Sequence, residues 1–205
     1  MHLNILNEDQ RHLLPLLSKF KKEFYMVGGS AIALHIGHRR SVDFDLFKNG
    51  AIHPKKILDH FKKSKEQTIV TLNRDGQLNL VCRDVKFTFL NFEWDIPHPV
   101  EVEKKITIPS LLDLAAMKAF AMGLRSKWKD YVDLYFIIKH HYNISQVSEL
   151  SQLYFGDLFS EKLFRSQLNY FKGISFDEPV EFMPGFEVSE EEVKAFLTDA
   201  ALTGF

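Results

Sequence analysis

Cysteine is almost missing from this chain of 205 residues. The single one, Cys82, excludes a disulfide within the chain and any zinc site built on cysteines. Long apolar runs are missing too: nothing approaches the roughly 18 apolar residues of a membrane span, and no N-terminal apolar stretch resembles a signal peptide. The expectation is a cytoplasmic protein with no membrane partner. Excess charge of one sign is also lacking, since 26 Lys and Arg against 27 Asp and Glu leave a net charge of -1. That balance argues against a surface built to hold long nucleic acid. Repeats and low-complexity tracts are absent as well.

What is present suffices for a sizeable core, with 45% hydrophobic residues and 19 Phe. Phe87, Phe89 and Phe92, like Phe120 and Phe136, fall in strand or helix patterns and read as core. Helical and strand patterns alternate over residues 1–106, with helices expected over 7–22 and 54–63 and strands over 66–72, 77–82 and 85–92. After Ile106 the period is helical, with helices expected from Ser110, over 128–140, 146–153 and 157–171, a loop over 173–185, and a last helix opened by a capping-box spacing at Ser189 and Glu192. The fold class is therefore α/β: a small mixed sheet flanked by helices over 1–106, then a helical C-terminal region over 107–205.

The chemistry is concentrated in residues 24–47. Phe24-Tyr-Met-Val27 reads as a buried strand, Gly28-Gly29 breaks it, and Ser30-Ala-Ile-Ala-Leu-His35 opens a helix. A glycine turn at a helix N-terminus offers backbone N–H groups and a favourable dipole to phosphate, and the Ser30 hydroxyl adds a donor. Next, Asp43 and Asp45 alternate with Val42, Phe44 and Leu46, which puts both carboxylates on one face of a strand. Two such acids repel unless a cation lies between them, and magnesium, with its preference for oxygen ligands and substrate phosphates, suits the pair. Either half alone suits an ordinary turn or a wet strand face; the two in this order point to a nucleoside triphosphate. Of the basic residues, Lys55, Lys56, Lys62, Lys63 and Lys65 read as a solvated helix face, while Arg39 and Arg40 lie nearer the turn and the acids.

Gly-Gly-Ser followed by Asp-x-Asp resembles the signature of the DNA polymerase β-type nucleotidyltransferases. The fuller string Met26 to Phe47, passing through Gly37-His-Arg39 to Ser41-x-Asp-x-Asp45, is similar to the AbiEii/AbiGii toxin-like branch. So is a second block, Pro109 to Ala119, then Arg125 and Lys129-Asp-Tyr-Val-Asp-Leu-Tyr135. The resemblance implies a minimal nucleotidyltransferase core at 1–106 whose active site the region 107–205 completes. It further implies catalytic parts for Asp43, Asp45, Lys118 and Asp130, with nucleotide contacts from Gly28, Gly29, Ser30, Arg39 and Lys118. Read without the resemblance, Lys118 with Asp130 and Asp133 suits a salt bridge that pins two helices.

One position departs from the pattern. A third acid is usual on a following strand, and Val85-Lys-Phe-Thr-Phe89 puts Thr88 there. A hydroxyl replaces a carboxylate poorly; Asp84 and Glu93 are nearby in sequence, and Asp130 is the preferred source of the missing charge. The expected activity is magnesium-dependent transfer of a nucleoside monophosphate from a triphosphate to a hydroxyl acceptor. Resemblance implies an RNA acceptor such as a tRNA 3′ end, or a protein, and a toxin-antitoxin or phage-defence role with a cognate antitoxin. The rival readings are nucleotidyl transfer to a small antibiotic and a catalytically decayed nucleotide-binding module.

Overall fold

Apolar residues at every second position of Phe44–Lys48 (β2), Gln77–Cys82 (β4) and Val85–Asn91 (β5) give these strands one buried face each. With Tyr25–Val27 (β1) and Ile69–Arg74 (β3) they form a mixed sheet in the order β1-β2-β5-β4-β3, in which β2 and β5 run parallel and the other pairs antiparallel. The computed structural model describes residues 1–122 and 127–203. Within it the chain divides into two units, Met1–Ser110 and Leu111–Phe205.

In the first unit the inner face of the sheet carries Met26, Phe44, Leu46, Leu78, Leu80, Phe87 and Phe89, all fully buried. Phe20, Phe24 and Phe61 meet Phe87 and Phe89 at ring-centroid distances of 5.0 to 6.4 Å, edge to face, so Phe87 and Phe89 are core as expected, like Phe136, whereas Phe92 and Phe120 are only half-buried. The helices of this unit are α1 (Glu8–Leu17), α2 (Gly28–Ile36) and α3 (Pro54–Lys63). Reciprocal hydrogen bonds between Asn7 and Gln10 cap α1, and the helix ends at Leu17, after which Ser18, Lys19 and Phe20 donate three residues back instead of four. α2 is apolar nearly all round and buried, which fixes its N-terminus at the sheet.

Two strands escape the sequence pattern. Val100–Val102 (β6) and Ile106–Ile108 (β7) form a second antiparallel pair, turned by Glu103 and Lys104 at φ 49° and 56°. Neither residue type advertises a left-handed turn, so no hairpin signal exists there. By contrast the expected hairpin at Arg83-Asp84 forms, with φ of 49° and 59°. β3 begins later than expected because Glu66 is tied to the end of α3 through its N–H to Phe61 O and to Arg83 by an ion pair.

The second unit comprises α4 (Leu111–Met122), α5 (Trp128–His140), α6 (Ile144–Phe155), α7 (Glu161–Leu168) and α8 (Glu190–Leu202). On α5 the apolar stripe of Tyr131, Leu134 and Tyr135 is only part of the buried surface. Every residue from Trp128 to Ile137 except Lys129 is buried, because α4 and α8 both pack on this helix. α6 starts earlier than expected through an Asn143–Gln146 capping box, and Ser160 caps α7, dividing the single helix expected over 157–171. At α8 Ser189 accepts from the Glu192 N–H, but the Glu192 carboxylate accepts from Tyr135 Oη at 2.5 Å and Lys139 Nζ at 2.7 Å, joining α8 to α5. Buried Arg165 donates to Ala201 O and Thr203 O at 3.2 and 2.9 Å, where a helix C-terminus favours a cation.

The segment between α7 and α8 is held to the start of α5 by Glu178. Burial pushes its carboxyl up, but hydrogen bonds from Lys127, at 2.5 Å, and Lys129 outweigh that and hold the pKa at about 2. The stabilisation is complete above the unfolded value near 4.5 and is lost as pH falls towards 2. Because 42% of the side chain is exposed, screening reduces the contribution to about 1 kcal/mol. Glu178→Gln should therefore lower the unfolding midpoint at pH 7 and do so much less at pH 2. Parallel melting curves that differ equally at both pH values would exclude this anchor.

Candidate active site

β1 leads directly into α2 through Gly28, which adopts φ +73°. The antiparallel register pairs Val27 with Asp45, so the first residue of the turn lies against the Asp45 side chain. A Cβ on Gly28 would strike the Asp45 carboxylate, reaching 3.2 Å from its Cγ. One on Gly29 would meet Arg39 Nη2 at 2.5 Å and Ser41 Oγ at 3.2 Å. Both glycines are thus required by close approach, Gly28 by its backbone conformation as well. Gly28→Ala should cost roughly 1–2 kcal/mol from the left-handed φ and displace the Asp45 carboxylate. Thermal unfolding would show the loss; wild-type stability would mean that the turn relaxes freely.

Ser30 is 1% exposed, and its hydroxyl donates to the Asp43 carbonyl, with Ser41 Oγ 3.0 Å away. Gln10 Nε2 donates to Ser41 O at 2.7 Å. These bonds tie the segment entering β2 to α2 and α1, which fixes Asp43 relative to the turn. Asp43 directly precedes β2 and Asp45 lies within it; both are half-buried and share a face. The His38-Arg39 part of the basic run is buried, at 0% and 3% exposure, so it is no solvent-facing basic patch. Arg39 fills the space that Gly29 leaves and donates through Nη1 to Arg40 O at 2.9 Å. It underlies the turn.

The parallel register of β2 and β5 sets Thr88 directly beside Asp45, and Asn79 beside Thr88 on β4. A third carboxylate would be expected at this neighbouring position, and the hydroxyl holds it. Asp84 occupies the exposed hairpin turn at the start of β5, and Glu93 lies beyond its end, so neither shares the row.

In the helical unit Lys118 Nζ lies 2.6 Å from Asp130 Oδ1 and 2.8 Å from Asp133 Oδ2, with the three side chains 6%, 1% and 0% exposed. The expected pair therefore exists, joined by a second acid from the next turn of α5. Asp113, in the first turn of α4, accepts from Tyr154 Oη at 2.5 Å, a partnership with no sequence signal because α4 and α6 meet only in the fold. Arg125 lies outside the described residues.

A glycine turn against a strand aspartate, with a second aspartate two residues before it, defines a nucleotidyltransferase-type core. The model of the family "Nucleotidyl transferase AbiEii toxin, Type IV TA system" matches residues 13–199. An uncharacterized protein of Aquifex aeolicus is 30% identical over 200 residues, spanning 92% of this chain and 86% of its own. The fold is similar to the crystal structure of JHP933 from Helicobacter pylori, with a TM-score of 0.62, 17% identity, and 96% and 91% of the two chains covered. It is also similar to MenT4, a nucleotidyltransferase toxin from Mycobacterium tuberculosis, with a TM-score of 0.57, 14% identity, and 95% and 80% covered. The chain belongs to the AbiEii family of nucleotidyltransferase toxins.

Proposed function

We propose that this protein is a magnesium-dependent transferase that moves a nucleoside monophosphate from a nucleoside triphosphate to a hydroxyl acceptor. The observation that carries this reading is the contact of the Gly28 turn with Asp45, which brings backbone donors for phosphate and a carboxylate for a cation into one place. Magnesium fits the donor set. Asp43 and Asp45 supply two oxygen-bearing groups on one face, and among the described residues no cluster of three His, Cys, Asp or Glu offers a self-sufficient cage. That composition suits an ion completed by substrate phosphates, which when bound would neutralise charge on the triphosphate and steady the attacking and leaving oxygens.

In this reading the N–H groups of Gly28 and Gly29 hold phosphate oxygens, while buried Arg39 adds positive charge beneath them. Ser30 acts by fixing the Asp43 backbone. The acceptor hydroxyl attacks the α-phosphorus in line, its oxygen–phosphorus bond forms, and the bond to pyrophosphate breaks. Resemblance gives Lys118 the stabilisation of charge and Asp130 its orientation, and the 2.6 Å ion pair is the contact that such orientation needs. Thr88 supports a slower transfer than a third acid would give, since a neutral hydroxyl activates the acceptor weakly. An RNA acceptor such as a tRNA 3′ end and a cytoplasmic location belong to the same proposal, as does a cognate antitoxin, for which the toxin family is the support.

The test is incorporation of each labelled nucleoside triphosphate, with and without magnesium, into total RNA and total protein. Magnesium-dependent label in one of these pools supports the reading and identifies the acceptor class. Binding of triphosphate without transfer to either would favour the small-molecule acceptor or the decayed module.

A further inference from the structure

A cleft of about 450 Å³ opens in the first unit, lined by Tyr25, Lys48, Asn49, Trp94, Asp95 and His98 among others. Tyr25 pairs with Phe47 as Val27 pairs with Asp45, so its side chain stands on the Asp45 face of the sheet, one row or roughly 7 Å along the strand.

The cleft has an aromatic platform. His98, itself exposed, stacks on Tyr25 with centroids 4.5 Å apart and planes within 7°, and its Nδ1 is 2.9 Å from Thr107 Oγ1 on β7, which fixes the ring. Trp94 lines the same space. Tyr25 is 5% exposed, yet its hydroxyl is buried with no hydrogen-bond partner. A buried hydroxyl without a partner is unfavourable, and a ligand that accepts from it removes the penalty. Burial, and after it the nearby Asp95 charge, disfavour ionisation of Tyr25, so the phenol keeps its proton and remains a donor. One oxygen of the exposed Asp95 carboxylate accepts from Asn49 Nδ2 at 2.9 Å, and a carboxylate has the lone pairs to accept from a ligand's donor as well. The remaining acid, Glu23, is engaged by Lys48 and Lys56, which leaves too little negative charge for a polycation.

We infer that this cleft, resting on the transferase reading above, is a subsite for a nucleobase that carries an exocyclic amino group beside an unprotonated ring nitrogen, as in adenine and cytosine. The flat base stacks on His98 and Trp94, its amino group donates to Asp95, and its ring nitrogen accepts from Tyr25. Uracil and hypoxanthine present a carbonyl and a ring N–H in the same places, so they set an acceptor against Asp95 and a donor against Tyr25.

Titration of the full chain with adenosine, cytidine, uridine and inosine, followed by calorimetry, tests this. Adenosine or cytidine should bind at least tenfold more tightly than inosine or uridine. Trp94→Ala and His98→Ala should each abolish that binding, whereas Tyr25→Phe should weaken it about tenfold while raising the melting temperature of the free protein. Equal affinity for all four nucleosides, no binding at millimolar concentration, or binding untouched by Trp94→Ala and His98→Ala would overturn the subsite. Competition by a nucleoside triphosphate with magnesium assigns the base to the donor nucleotide; simultaneous binding assigns it to the acceptor. Selective nucleoside binding in a protein without transferase activity would leave the subsite standing and remove the reading beneath it, while transfer without such binding would do the reverse.

Discussion

Asp45→Asn is expected to lower nucleotidyl transfer on the order of a thousandfold while leaving the fold intact. Asparagine has nearly the shape of aspartate, so it fills the space against Gly28 that a Cβ there would contest. Its amide carries no charge to hold a divalent cation. Removing one of two carboxylates on one face also relieves repulsion, so the melting temperature without magnesium should stay equal or rise slightly. Asp43→Asn should behave alike, because its backbone remains held by Ser30. The decisive comparison is the initial rate under saturating triphosphate and magnesium, with circular dichroism as the control for folding. Variants that keep a tenth of the wild-type rate or more would remove both acids from the metal site.

Lys118→Ala is expected to destabilise the helical unit strongly. It leaves Asp130 and Asp133, 1% and 0% exposed, without the ammonium they share at 2.6 and 2.8 Å. Removing one member of a buried ion pair costs about 3–5 kcal/mol, far more than deleting an exposed one. For a chain of this size that lowers the melting temperature by roughly 6–20 °C. Asp130→Asn and Asp133→Asn should each cost less, since one carboxylate still faces the lysine. Thermal unfolding separates this from catalysis: a rate measured well below the variant's midpoint reports chemistry alone. An unchanged melting temperature would contradict the buried triad, and an unchanged rate would confine Lys118 to pinning α4 and α5.

The two ends of the site were unequally legible. Gly28-Gly29 and Asp43-x-Asp45 could be read because local rules govern them: glycine punctuates a strand, and residues two apart share a strand face. Ser30 and Arg39 could be named but not placed. A serine at a helix start suggests a hydroxyl turned to phosphate, whereas the fold directs it to the Asp43 carbonyl. Arg39 could be read only as a cation near the turn and the acids, whereas the fold sets it in the volume that Gly29 vacates. The pairing of Lys118 with both Asp130 and Asp133 was legible, since one helical turn along α5 puts two acids within reach of one ammonium.

The sequence by itself determined the α/β core with its helical continuation, the glycine turn, the acid pair and the substitution at Thr88, because period, turn chemistry and motif spacing are properties of neighbouring residues. Tertiary structure alone decided that Asp45 rests against Gly28, that Thr88 stands beside Asp45, that β6 and β7 pair through a turn lacking glycine, and that Tyr25 and His98 form a platform one row from the acids. Each of these is a strand register or a close approach between distant segments. Such contacts are selected by burial of the whole inner face of the sheet, where a shift by one residue would turn Phe44 and Leu46 out to solvent.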